Sequence, residues 1–596
     1  MLRYSINRLL LFIPLLFGLS IVVFTYIHLL PGDPIQAMVG PSGSQEFVEQ
    51  LRAEFGLDRP LHVQYISWAT GLLRGDLGIT FRSRQPIAPL LLDRIPATLE
   101  LALGGLIVAV LVGLPTGILA GLRKGSKFDH IFSLFSLAGY SMPVFWLGTL
   151  LMVWLGVNWK VLPSQGYIPF SQDPLKNLQY LILPAVTLGV GLGPYIGRMA
   201  RAAVVETQQE QFVNYARAKG LGGRTILNRY ILRHAFVSIV VVLGLDIGYL
   251  LSGQIIVEEL FNWPGAGRLI VRGVLERDYF MVQSAIMIYA GVFLLINFLV
   301  ELLHAYLDPR IQLKKRREIM MSFVRRLQRN PVAFVSAICV LIVILIALAA
   351  PLIAPYDPNE MNTAMRFAPP GTAGYPLGTD EFGRDVLSRI FYGARISLLV
   401  AASAVLIALV VGGMLGVLAG FVGGWADVVL MRIMDVMFAI PALMVALGVV
   451  GLLGPSSSSV IIALGVAYSP LFARICRSAV VGVRSQAYVE ASRAMGASPW
   501  RLVRDEIMPN ILPVVMVQIT ASLAWGILDE ASLGFLGLGV QPPTASWGAM
   551  LTTGRQYMYQ SPTVPIFAGA AVLVVVFAFN LFGDGLRDVL DPRSSQ

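Results

Sequence analysis

Apolar residues run through this chain in long unbroken blocks, not in amphipathic stripes. They lie near 9–30, 98–121, 131–155, 178–197, 235–257 and 281–303, and again near 333–354, 396–420, 429–452, 458–473, 511–528 and 563–583. About 20 apolar residues in a helix cross the roughly 30 Å hydrocarbon core of a bilayer. Each block therefore predicts one spanning helix, and the chain reads as an all-α polytopic membrane protein with about 12 transmembrane helices. The first block follows Arg3 and Arg8, the polarity of a signal peptide. No small-residue cleavage site follows it, only Leu30-Pro31-Gly32-Asp33-Pro34, so it is expected to remain as the first span.

The polar intervals divide the blocks into two sets of six. Between the sets lie Arg310, Lys314, Lys315, Arg316, Arg317, Arg325, Arg326 and Arg329 against one acid, Glu318. Basic loops stay on the cytoplasmic side. Six spans from an inside start also end inside, so both chain ends and this linker are expected to be cytoplasmic. The division is 1–310, a linker 311–330, and 331–596.

The two sets repeat one another. At an offset of 276 residues, Arg198, Arg201, Ala203, Val204 and Val205 fall on Arg474, Arg477, Ala479, Val480 and Val481. Val213, Arg217, Ala218 and Gly220 then fall on Val489, Arg493, Ala494 and Gly496, making nine identities in 23 ungapped positions. Apolar matches count for little in a membrane alphabet, but matched arginines and glycines in a polar loop count for much. Each set also ends alike, with Leu307-Asp308-Pro309-Arg310 and Leu590-Asp591-Pro592-Arg593. Two parallel six-helix domains fused head to tail are the expected organisation.

Composition agrees with the membrane class: the 596 residues are 56% hydrophobic and only 13% charged, about half the charge of a soluble protein. The net charge of +10 follows from basic loops and calls for no nucleic acid. Cys339 and Cys476 form no C-x-x-C pair, and five scattered histidines form no ligand cluster, so neither metal nor cofactor is expected. Arg74-Gly75-Asp76 matches the adhesion tripeptide only by letter. Gly189, Gly191 and Gly193 lack the strand–turn–helix setting of a dinucleotide fingerprint and suit close helix packing instead. No G-x-x-x-x-G-K-[ST] occurs, so any ATP must be bound by another subunit.

The repeated loop between the fourth and fifth spans carries the most chemistry. In the second copy a helix is expected to run to Met495, with Gly496 in the left-handed position that ends it. Ser498 then caps a new helix that has Pro499 at its first position. The first copy, with Gly220, Gly222 and Gly223, repeats this more loosely. Glu490, Ala491, Ser492 and Gly496 resemble the E-A-A…G loop of ATP-binding-cassette (ABC) importer permeases; the first copy has Asn214 in place of the glutamate. Leu30-Pro31-Gly32-Asp33-Pro34, Gly75-Asp76-Leu77-Gly78 and Phe261-Asn262-Trp263-Pro264-Gly265 resemble the first permease of dipeptide, oligopeptide, glutathione and nickel importers. The stretches from Leu377 to Asp385 and Ser532 to Gly539 resemble the second.

This resemblance implies two ABC importer transmembrane domains in the bacterial cytoplasmic (inner) membrane, and a transport component that is not itself an enzyme. It implies two ABC ATPase subunits docked on the loops through Arg217, Ala218, Gly220, Glu490, Ala491, Arg493 and Gly496. It also implies a substrate-binding protein docked outside, with Asp380, Arg384 and Asp385 as candidate contacts, and alternating access for a peptide or similar small solute. A nickel or metal chelate is the alternative cargo. An ion-driven carrier of twelve spans is the competing class, but such carriers place several ionisable residues within their spans. Here the blocks hold one clear mid-span acid, Asp246, with Glu100 and Asp435 nearer span ends. Asp246 and its repeat partner Ser522 are candidates for the translocation path; a buried hydrogen-bond role for Asp246 stays open. Outside, Phe47, Leu51 and Phe55 predict a short helix ended by Gly56.

Overall fold

A computed structural model describes residues 13–25, 35, 44–81, 83–307 and 331–590. The linker 311–330 and both chain ends lie outside the described residues. Among the described residues the regular elements are helical throughout, and the twelve apolar blocks fall on helix, the third block of each set with a break. In chain order the α-helices of eight residues or more are α1 Ile13–Thr25, α2 Gln45–Glu54, α3 Leu61–Leu73, α4 Ile95–Leu122, α5 Lys127–Ser141, α6 Val144–Leu151, α7 Pro174–Gln208, α8 Gln211–Ala218, α9 Leu232–Leu260, α10 Ala266–Leu275 and α11 Tyr279–Leu307. There follow α12 Pro331–Ile353, α13 Val386–Val422, α14 Gly424–Phe438, α15 Ala442–Leu453, α16 Ser457–Arg484, α17 Ala487–Ala494, α18 Met508–Phe535, α19 Trp547–Gln556 and α20 Thr563–Leu590.

Among the described residues, seven helices are long and apolar enough to cross a membrane, and nine if each of two bent pairs is one span. Shorter apolar stretches, Ile13–Thr25 and Phe280–Ile296, add to these. The bent pairs are the third block of each set, expected as single spans. The chain turns by 97° after α5 and by 85° after α14. A proline follows each break, Pro143 and Pro441, and the residue before a proline is disfavoured in the helical region. Met142 is accordingly extended, with φ −79° and ψ 123°.

The chain forms two compact units. One is built mainly from Ala88–Val271 with Ile288–Lys315, and the other from Arg316–Gln596 with Leu15–Ile87 and Arg272–Met287. In the first unit, α4 and α7 cross so closely that a Cβ on Gly113 or Gly117 would strike the carbonyl oxygen of Gly193 or Gly197. In the second, α13 and α16 cross the same way, with Gly412 and Gly416 against the backbone of Ser469 and Ala473. Small residues at a crossing let two backbones approach in lipid, where no hydrophobic force drives helices together.

Helix α2 is capped by Ser44, whose hydroxyl accepts from Phe47 N at 3.3 Å, and Gly56 ends it with φ +66°. Its inward stripe is buried Val48 and Leu51, continued by half-buried Phe55, while Phe47 stands 46% exposed. A helical face admits i, i+3 and i+7 together, and Val48 fits that set better than Phe47. Phe55 packs on Phe81 (ring centroids 4.7 Å) and Phe280 (5.9 Å).

Candidate functional site

The two repeated loops fold alike. Helix α8 is held down by buried Val213 and Ala216, which join Ala200, Ala203, Val204, Ile226 and Ile231 in one apolar cluster. Helix α17 is held by fully buried Val489. Each helix then ends on a left-handed glycine, Gly220 at φ +73° and Gly496 at φ +85°. Gly222 and Gly223, by contrast, keep ordinary backbone angles. Ser498 caps the next turn of the second loop, its hydroxyl accepting from Arg501 N at 3.4 Å, while the glycine at 222 offers no side chain for the same purpose. Both loops continue through a π-helical turn, Ile226–Ile231 and Leu502–Ile507, in register with the sequence repeat. No residue pattern had announced those turns.

Arg217, Ala218, Gly220, Glu490, Ala491, Arg493 and Gly496 are all exposed. Around them stand large apolar side chains open to their surroundings: Tyr215 at 63%, Met495 at 81% and Trp500 at 72%. Asn214, at the position of Glu490, accepts from Arg217 Nη1 at 3.4 Å. In the second loop Ser492 Oγ donates to Glu506 Oε1 at 2.8 Å, tying α17 to the π-helical turn.

The outer candidates behave differently. Asp380, Arg384 and Asp385 are 2%, 4% and 1% exposed, so they hold their loop together and present no charged surface. Arg384 donates to Asp380 Oδ2 and to Glu381 Oε1, both at 2.7 Å. Asp385 caps α13, accepting from Ser388 N at 2.8 Å. Burial, then the charge of Asp380, push the Glu381 carboxyl above the usual carboxylate range despite Arg384 and Arg389. Phe382, 45% exposed, is the side chain this turn shows outward.

On the candidate path, Ser522 is buried and accepts from Gln518 Nε2 at 3.0 Å. Asp246 lies in α9, and its side chain is outside the described residues. The other span acids have partners. Glu100 accepts from Tyr167 Oη at 3.1 Å and from Asn177, and Asp435 pairs with Arg474 at 2.7 Å. Burial and the Glu100 charge push the Tyr167 phenol, in the connection before α7, up to about 12.

Sequence reasoning missed two fully buried glutamates just past the apolar blocks. Glu258, at the end of α9, accepts from Thr98 Oγ1 and from Arg268 N, both at 2.9 Å, and so fastens the start of α10 to α4 and α9. Gly265 has no side chain because a Cβ there would fall on the Glu258 carboxylate. Glu530, near the end of α18, stands beside Ser397 and Ser546 at the start of α19. Matching tryptophans brace the two sites: Trp263 Nε1 donates to Ala97 O at 2.8 Å, and Trp547 Nε1 to Ile390 O at 3.1 Å.

Residues 113–313 and 412–596 each match the family model described as binding-protein-dependent transport system inner membrane component. The chain belongs to this family. Residues 1–102 match the N-terminal segment of binding-protein-dependent transport membrane components, and 320–370 the N-terminal TM domain of oligopeptide transport permease C. The permease is 38% identical over 339 residues to the dipeptide transport system permease protein DppB of Escherichia coli, covering 53% of this chain and 100% of that one. It is 43% identical over 279 residues to the di/tripeptide transport system permease protein DppC of Pseudomonas aeruginosa, covering 46% of this chain and 92% of that one. The glutathione transport system permease protein GsiC of Escherichia coli is 37% identical over 314 residues, covering 53% and 100%. The chain therefore carries two permease subunits of an ABC importer in one polypeptide, and the ion-driven reading is set aside.

Proposed function

We propose that this permease imports peptides across a bacterial inner membrane, powered by two separate ATPase subunits seated on the α8 and α17 loops. It has no ATPase site of its own and works by alternating access. A substrate-binding protein delivers the cargo at the outer loops, where exposed residues such as Phe382 make the contact and the Asp380–Arg384–Asp385 group frames it. Both chain ends are cytoplasmic. Residues 1–310 and 331–596 are the two domains. Asp246 and Ser522 remain the candidates for the path, and the dipeptide and glutathione relatives support a peptide cargo.

The observation that carries the docking reading is the duplicated loop itself. Two copies hold the same glycine-ended helix by buried valines while leaving Tyr215, Met495 and Trp500 uncovered. Large apolar side chains exposed on a rigid support mark protein contacts. Trp500→Ala is expected to weaken retention of the ATPase subunits by roughly 30-fold, the cost of about 2 kcal/mol for losing a tryptophan anchor. Co-purification in detergent measures it, and unchanged retention removes the docking assignment.

A further inference from the structure

Among the described residues, each half carries a bidentate Asp–Arg pair that fastens the helix leading into the repeated loop to the first piece of the broken span; in the second half the single-bonded Asp435–Arg474 contact joins the same two helices further along. In the first half Arg201 of α7 grips Asp129 of α5, Nε on Oδ1 and Nη2 on Oδ2 at 2.8 Å. In the second, Arg477 of α16 grips Asp427 of α14 in the same fork, with Nη2 on Oδ2 at 2.6 Å. The arginines are partners at the 276 offset, each about two helical turns before its helix ends and the loop begins. The aspartates are not at that offset: the connection before the fourth span is longer in the first half, 159–173 against 454–456, and the fourth span itself starts further ahead of its arginine, at Pro174 against Ser457. The pairing is thus conserved between the halves in space across a change of spacing.

Both aspartates sit in the first turn of their helix. Asp129 is 5% exposed and also accepts from Gly125 N at 2.9 Å, so it cannot swing freely. A bidentate Arg–carboxylate pair fixes orientation as well as distance. Beyond Asp129 the chain runs down α5, turns by 97°, and enters α6. There Gly148 lies against Thr187 of α7 and against Leu260 and Phe261 at the far end of α9. Beyond Asp427 it runs through α14 into α15, which packs on α16 and α18.

We propose that these two Asp–Arg pairs are the mechanical couplings of the permease, carrying displacement of each loop into the broken third span and so to the end of the fifth. The inference rests on the ATPase-docking reading of the loops. A rigid pair is needed because the broken span has no continuous helix through which to transmit a push. Its bend would absorb the motion unless the first piece moved with the fourth span. Asp129, Arg201, Asp427 and Arg477 act as positioning residues.

The test uses the full chain bound to its ATPase subunits, in a Cys339→Ala background with Val161→Cys as reporter. Val161 is 67% exposed, and its N–H donates to Leu155 O at 2.9 Å, so it rides on the end of the broken span. The readout is the maleimide labelling rate with and without ATP, which needs no cargo. The parent is expected to change its rate about fivefold or more on ATP, the lower end of ordinary coupling. Asp129→Arg and Arg201→Asp should each abolish the change while ATPase subunits stay bound, and the combined swap should restore it. Asp427→Arg with Arg477→Asp gives the parallel set, read from Leu453→Cys at the end of α15. An ATP response that survives the single reversals, or a swap that fails to restore it in ATPase-bound protein, overturns the proposal. A parent that binds its ATPase subunits yet shows no response overturns it too. A parent that does not retain them at all fails the docking reading instead.

Discussion

Gly496 stands in the left-handed region with open space around it: a Cβ built there meets nothing within 4 Å, and the same holds at Gly220. A side chain is therefore opposed by the backbone angle alone, at about 1–2 kcal/mol for an ordinary L-residue and less for asparagine, which tolerates φ > 0. Gly496→Val should insert in the membrane normally but displace the loop, lowering uptake per ATP hydrolysed in reconstituted vesicles, and Gly496→Asn should recover most of it. Because the two turns share one geometry, and Gly222 and Gly223 do not relieve the first, Gly220→Val should be as harmful as Gly496→Val. Parental uptake per ATP in both valine variants would mean the turns do not set the loops. Glu258 makes a different case, for it is buried and its two oxygens accept from separate elements. Glu258→Ala leaves the Thr98 hydroxyl and the Arg268 N–H without that acceptor. It should cost about 1–3 kcal/mol per stranded group, read as a lowered thermal midpoint in detergent.

Helices in this molecule differ in what their glycines do, and the difference can be measured. Gly416 of α13 lies where a Cβ would strike the carbonyl oxygen of Ala473, whereas Gly482 of α16 has nothing within 4 Å and an ordinary helical φ. Gly416→Ala forces α13 and α16 apart and should destabilise by about 1–3 kcal/mol. Gly482→Ala only removes backbone freedom from the unfolded chain and should stabilise by up to about 1 kcal/mol. Thermal unfolding of the two variants should move in opposite directions; a shared direction would mean the crossing is not tight. At this scale the sequence was informative where one signal dominates. Unbroken apolar runs located the spans, and the matched glycines and arginines located both loops. It was silent where geometry depends on partners far along the chain. The breaks at Pro143 and Pro441 look in sequence like other prolines, such as Pro115 and Pro470, that sit within unbroken helices. Asp380 and Arg384 read as surface charges because nothing local reveals that they face each other in a buried loop. Glu258 and Glu530 escaped notice by lying one or two residues beyond the apolar blocks.

For the whole chain, the duplicated loops, duplicated Asp–Arg pairs and duplicated tight crossings follow one order of elements, which two fused copies of a single six-span plan would produce. A parallel repeat requires an even number of spans in each copy, so that the second starts on the side where the first started. On our proposal, which rests on the basic residues from Arg310 to Arg329, that side is inside the cell. The two loops should then share the cytoplasmic face, while α2 and the turn around Phe382 should share the outer one. Four exposed positions report this: Tyr215 and Met495 on the loops, Phe47 and Phe382 outside. With Cys339 removed and Cys476 buried, a single cysteine at each position can be labelled by an impermeant maleimide. Tyr215→Cys and Met495→Cys should react in inside-out vesicles and stay protected in right-side-out ones, and Phe47→Cys and Phe382→Cys should do the reverse. Opposite labelling of Tyr215→Cys and Met495→Cys would require an odd number of spans between the loops. The second copy would then be inverted, and one set of ATPase subunits could not reach both loops from the same side of the membrane.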